Sequence, residues 1–208
     1  VMEESRPGEY LPVYENERGT FIFNSKDLCM IEHIPELLEA GIDSFKIEGR
    51  MKTALYVATV ARTYRKAIDD CLKSEELYKS HMDWYREQIA ACTYREFATG
   101  FFYGRPDETA QIYDSNTYRK GYTYLGMVNG VAKDGCIETE QRNKFSVGER
   151  IEIMKPDGSN PEAEVLEIRD MDGTPMESAP HPQQKLLVKL SCQAARYDIL
   201  RRREQENG

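Results

Sequence analysis

A chain of 208 residues holds one large domain or two modest ones. Its 40% hydrophobic residues, with thirteen Tyr and seven Phe, suffice for a packed core and exclude a disordered protein. A net charge of −8 excludes a protein that coats nucleic acid through bulk charge and argues against DNA as a partner, but it leaves room for a local basic patch.

In chain order, residues 1–19 are rich in Pro, Gly and charge and read as a loop or short hairpin. Thr20–Asn24 is a compact β-branched and aromatic run, which predicts a strand. Ser25 or Asp27 is placed to cap a following helix through Leu28, Ile31, Ile34, Leu37 and Leu38. Pro35 kinks that helix or opens its second segment, and Gly41 ends it. Ile42–Ile47 reads as a second short strand bounded by Gly41 and Gly49. Ala54–Leu72 reads as a long helix whose apolar stripe runs through Val57, Val60, Ala61, Tyr64, Ala67, Ile68 and Leu72. Strand, helix, strand, helix within such a short span is the order of βαβ units, and the closing units of a (β/α) barrel fit it.

Ser80–Ala91 predicts another helix, with Trp84, Ile89 and Ala90 apolar. Residues 98–118 read as a linker with an aromatic anchor at Phe101, Phe102 and Tyr103. From Tyr122 the apolar period becomes two. Tyr122–Val131, Gly135–Gln141, Arg150–Met154, Ala163–Arg169 and Lys185–Leu190 are five expected strands, several separated by Gly-containing turns, which indicates a small β-barrel. The Arg201-Arg202-Arg203 run reads as a basic tip, either touching RNA phosphates or simply solvated. The domains expected are thus residues 1–97 (α/β), 98–117 (linker) and 118–208 (β-barrel).

The five cysteines are odd in number, widely spaced and without a Cys-x-x-Cys pair. A disulfide framework is not expected, and a reducing, cytoplasmic setting is. Val1–Tyr10 is polar and charged, so no signal peptide is expected from it, and no apolar run approaches the roughly twenty residues of a membrane span. The opening Val-Met-Glu-Glu-Ser reads as the middle of something longer, so residues before Val1 are expected.

The chemistry-bearing stretch is Gly41–Lys52. On a strand, Lys46 and Glu48 share one face. Arg50 and Lys52 follow in the turn that feeds the helix. Charged groups at a strand's C-terminal end are where α/β enzymes place their chemistry. Glu48 and Lys46 are the candidate catalytic pair; Arg50 and Lys52 are candidates to bind an anion, with Tyr56 within reach of the site. The alternative is a solvated turn with a weak Lys–Glu pair. By residue type Cys29 is a metal ligand, a nucleophile or a small buried hydrophobe, and near a helix start its thiolate is favoured. His33, four residues on, draws a Cys–His dyad with no evident third group. The other cysteines and Tyr64 read as core, and His81 and His181 as isolated. Serine-hydrolase, zincin, NTPase and dinucleotide fingerprints are all missing from the sequence.

Asn24-Ser25-Lys26-Asp27-Leu28-Cys29, the block Ala40–Lys52 with its Lys-Ile-Glu-Gly-Arg, and Tyr64–Asp69 resemble the C-terminal half of the collagenase-like peptidase family U-32. Tyr124-Leu125-Gly126, Asn143-Lys144-Phe145, Ala179-Pro180-His181-Pro182 and Leu200-Arg201-Arg202 resemble its C-terminal barrel. The resemblance implies the last units of a TIM-like barrel followed by a barrel similar to those of translation factors. It implies a tRNA-modifying enzyme that hydroxylates wobble uridine to 5-hydroxyuridine, with prephenate, a small organic acid, as co-substrate. It also implies an iron–sulfur cluster, [4Fe–4S], with Cys29 as one ligand and three further cysteines before Val1, so that this chain alone is expected to be inactive. Two alternatives stand beside it: a collagenase-like peptidase, and a non-catalytic RNA-binding module.

Overall fold

A computed structural model describes residues 1–204 except 3, 6, 9, 11–12, 18, 22–24, 93–94 and 113–120. Strands β1 (Tyr14–Asn16) and β2 (Gly19–Phe21) form a small antiparallel hairpin. The end of the strand expected over 20–24, and the later part of the expected linker, lie outside the described residues. β3 (Asp27–Leu28) pairs in parallel with β4 (Phe97–Ala98). Around this ladder stand helices α1 (Ile34–Glu39), α2 (Ala54–Lys73), α3 (Glu75–Ser80) and α4 (Met82–Ala90).

The first expected helix starts later than its caps suggested. The Asp27 and Cys29 amides donate to Glu96 and Ala98 carbonyls, so this backbone is committed to a ladder rather than a helix. The helix opens only at Ile34, with Pro35 in its first turn, where a missing N–H costs nothing. The helix expected over Ser80–Ala91 is α4, which starts two residues later at Met82; His81 separates it from α3, a helix the sequence reading did not place. Residues 42–49 are not a strand: among the described residues no neighbour offers them a ladder, and alternating side chains alone do not make one. Phe101, Phe102 and Tyr103 are exposed, in a segment that turns at Phe102 and Gly104, so they are not a buried anchor, although the Tyr103 hydroxyl meets His33.

The second half is a closed barrel. Strands β5 (Tyr122–Val131), β6 (Ile137–Glu140), β7 (Arg150–Met154), β8 (Glu162–Arg169), β10 (Lys185–Leu190) and β11 (Ile199–Arg203) join in the ring β10-β6-β5-β11-β7-β8, which β8–β10 pairing closes. The short β9 (Pro175–Met176) lies along β8. Alternation sends Leu125, Ile153, Val165, Val188 and Leu200 inward, where they are fully buried. Gly126 permits a close crossing, since a Cβ there would lie 2.6 Å from Thr139 Oγ1 and 2.9 Å from the Glu140 carbonyl.

The basic tip is in fact β11. Arg201 is 1% exposed, bonded twice to the Glu152 carboxylate and stacked 3.9 Å from the Tyr122 ring centroid. Arg202 pairs with Glu149. Two of the three arginines are thus committed within the barrel.

Helix α2 joins the halves. Its expected stripe is only partly buried, with Val57 and Leu72 exposed, while a more polar face is buried instead. Leu55 packs on Met154 and Ile199 of the barrel. Arg62 donates to the Lys155 carbonyl (2.9 Å), Asn160 Oδ1 (2.8 Å) and Gln88 Oε1 (2.6 Å), and lies over Trp84. Burial lowers its pKa to about 10, so it remains charged at neutral pH.

His81 is not isolated. Its Nδ1 lies 2.8 Å from Asp70 Oδ2, which also accepts from Tyr85 (2.6 Å) and Lys66 (2.9 Å). Burial alone would push the Asp70 carboxyl up; the three donors outweigh it and bring the pKa to about 2.

Candidate functional site

A cavity of about 550 Å³ opens between the end of β3, the 42–48 segment and the first half of α2. Val60, Ile89 and Phe97 supply apolar wall, while Ser44, Lys46, Glu48 and Lys52 supply polar groups. Tyr56 and Tyr64 also face it, and their spacing of eight residues is about two helical turns, which puts both rings on one side of α2.

The Tyr64 hydroxyl fixes the far wall. It accepts the Met30 N–H at 2.9 Å and lies 3.6 Å from Cys29 Sγ. The Cys29 amide is already bonded to Ala98, so the thiol is held from two sides. Burial pushes that thiol up, against smaller pulls from the Ile31 amide and Tyr64, and the neutral thiol prevails near pH 7. The expected thiolate at a helix start is therefore corrected: α1 begins five residues further on, and burial wins.

The Cys29–His33 dyad is also absent. His33 Nδ1 lies 2.7 Å from the Tyr103 hydroxyl and 3.5 Å from Glu36 Oε1, while Cys29 faces Tyr64. Tyr64 itself is more than core, since its hydroxyl ties α2 to the Cys29 segment.

Of the six expected site residues, Cys29, Lys46, Glu48, Lys52 and Tyr56 line the cavity, and Arg50 does not. Glu48 is exposed at the rim, and its Oε1 accepts the Arg50 N–H at 3.2 Å, which shapes the turn. Lys46 is exposed beside it. Lys52 is half-buried, its Nζ 5.1 Å above the Tyr56 ring centroid, a cation–π distance. Thr53 caps α2 by accepting the Tyr56 N–H at 3.2 Å, which sets the register of both. Burial raises the Tyr56 phenol pKa and lifts the Cys92 thiol to about 11.

Sequence reasoning passed over Tyr64, Cys92 and Phe102 as cavity residues. The Tyr56–Tyr64 spacing was a signal for the first. The other two come from distant segments, and nothing local marks them.

The arrangement supplies two ammonium groups for an anion, the carboxylates of Glu48 and Asp27, two phenols and the neutral thiols of Cys29 and Cys92. Among the described residues no group of three or more His, Cys, Asp or Glu gathers as a metal site. These residues do not hold a four-thiolate cluster by themselves; Cys29 presents one thiol.

A charged cavity on an α/β half, whose helix α2 packs on a closed six-stranded barrel, makes a two-part architecture. The peptidase family U32 pattern matches residues 1–112 and the U32 C-terminal domain pattern residues 120–201, and the chain belongs to peptidase family U32. Within that family it is similar to tRNA hydroxylation protein P1 of Bacillus subtilis, 37% identical over 179 residues, covering 86% of this chain and 42% of the relative. It is 34% identical over 188 residues to tRNA hydroxylation protein P of Escherichia coli, covering 83% of this chain and 40% of the relative. A collagenase of Porphyromonas gingivalis is 33% identical over 139 residues, covering 65% of this chain and 38% of the relative. A solved U32 C-terminal domain from Geobacillus thermoleovorans is 29% identical, covers 39% of this chain and 92% of its own, and has a TM-score of 0.36. The chain spans about two fifths of the length of the tRNA hydroxylation relatives named here.

Proposed function

We propose that the protein containing this chain is a cytoplasmic tRNA-modifying enzyme that hydroxylates wobble uridine to 5-hydroxyuridine. The observation that carries this reading is the meeting of Lys46, Glu48, Lys52, Tyr56 and Cys29 on one cavity. The tRNA hydroxylation relatives support it. In this reading Lys46 and Lys52 bind the carboxylates of a small organic acid, prephenate, and Arg50 has no direct part. Glu48 accepts a proton at the rim. Cys29 is the one thiol this chain contributes to a [4Fe–4S] cluster whose other ligands come from elsewhere in the longer protein. The β3–β4 ladder and its helices belong to a TIM-like barrel in that protein.

Mass spectrometry of tRNA from a strain lacking the gene tests the reading. Loss of 5-hydroxyuridine is expected, and an unchanged level contradicts it. A peptidase reading draws on the collagenase relative. The separate partners of Cys29 and His33 give it no nucleophile–base pair. Gelatin cleavage by the purified full-length protein, abolished by Cys29→Ala, would establish it instead.

A further inference from the structure

A second groove, of about 460 Å³, runs along the seam between α2 and the barrel. Thr53 and Tyr56 of α2 form one wall, and Tyr122, Tyr124, Arg142 and Asn143 of the barrel form the other. Tyr122 and Tyr124 stand two apart on β5, so both rings emerge from the barrel's outer face. Tyr122 is already occupied, stacked on Arg201 and bonded to Glu152. Tyr124 is half-buried, and Asn143 Nδ2 donates to its carbonyl at 2.6 Å, which fixes that wall. Arg142 is exposed beside it, paired with Glu140 at 2.9 Å.

The groove adjoins the charged cavity, since Tyr56 and Cys92 belong to the walls of both. Its volume lies within the roughly 300–1,000 Å³ typical of small-ligand sites. Phenol rings beside a guanidinium form a stacking platform for a nucleobase, and the cation also meets the adjoining phosphate. Arg142 is the cationic side chain on this wall, and its guanidinium is shared with Glu140.

We propose that this seam groove is a nucleotide subsite of single-stranded RNA. It stacks the base next to the uridine that enters the cavity, with Tyr124 as platform and Arg142 on the phosphate. This rests on the tRNA reading above, whose own test is the hydroxyuridine content of cellular tRNA. Where the reaction needs its base out of the loop stack, a seat for the neighbour holds the strand in register.

The test is binding of an anticodon stem-loop RNA to the full-length protein, measured with intact RNA and with RNA abasic at each position flanking the target uridine. Tyr124→Leu is expected to weaken intact-RNA binding about tenfold. One flanking abasic site is expected to weaken wild-type binding by a similar factor and to leave Tyr124→Leu no weaker still. Arg142→Gln, on an exposed side chain, is expected to lower the slope of log K against log salt by about one. Wild-type affinity and salt slope in both variants overturn the subsite and leave hydroxylation standing. Equal losses by Tyr124→Leu on intact and abasic RNA mark a folding defect; the subsite is then decided by Arg142→Gln, whose unchanged slope overturns it. Absence of any loop binding by the wild-type protein overturns the subsite and the tRNA reading together. Intact RNA binding with gelatin cleavage lost in both variants overturns the proposal in favour of a peptide occupant.

Discussion

The two halves of the molecule satisfy their backbones in opposite ways. Six barrel strands close a ring through β8–β10 pairing, and their inward side chains are fully buried. The α/β half has a ladder of two-residue strands, and residues 42–49 run without one. Leu28, Met51 and Phe101 are exposed there. Stability is therefore concentrated where no chemistry is proposed, and the candidate site sits on the segment with least sheet support. That division is physically expected: groups that must meet a substrate stay accessible, and a rigid neighbour holds their scaffold.

The largest expected effect lies inside the ring. Leu200→Ala should lower stability by about 3 kcal/mol, while Ile47→Ala at the cavity should change it by less than about 0.5 kcal/mol. Urea unfolding of the two variants measures both, and equal losses would erase the contrast. Of similar size, Arg201→Leu should cost about 3 kcal/mol by stranding Glu152, and Arg201→Met with Glu152→Leu should recover most of it. Arg50→Leu, the exposed counterpart, should be neutral.

Next comes the carboxylate that ties α2 to α4. The folded Asp70 pKa of about 2 lies below its unfolded value, so its contribution is complete above about pH 4 and is lost as pH falls towards 2. Acid titration should show roughly 2 kcal/mol disappearing across that window, and Asp70→Asn should flatten the loss. Smaller again, Tyr64→Phe removes the acceptor of the Met30 N–H and should cost about 1 kcal/mol. Thermal melts resolve it, and no loss would mean that Met30 finds water instead.

What was legible in the sequence followed local periodicity. Alternation placed β5, β7 and β10 at their observed ends, and three- and four-residue spacing found α2. β11 escaped because three arginines read as solvated, whereas stacking on Tyr122 and pairing with Glu152 pay for the burial of Arg201. The 42–47 stretch has strand composition but no partner, and partners are not a local property. At the site, Lys46, Glu48, Lys52 and Tyr56 were found together because eleven residues contain them all. Cys29 reaches them through Tyr64, and the Asp70–His81 bond likewise joins separate helices; folding, not spacing, creates both contacts.

The account stands or falls on the cavity rim. The most direct measurement is 5-hydroxyuridine in tRNA from a deletion strain carrying the full-length gene with Glu48→Gln or Lys52→Gln. Because both side chains reach solvent, the variants should melt like wild type yet lose at least about tenfold of the modified base, an effect of roughly 1.4 kcal/mol on the reaction. Full 5-hydroxyuridine in both variants would contradict the assignment of this cavity as the working site.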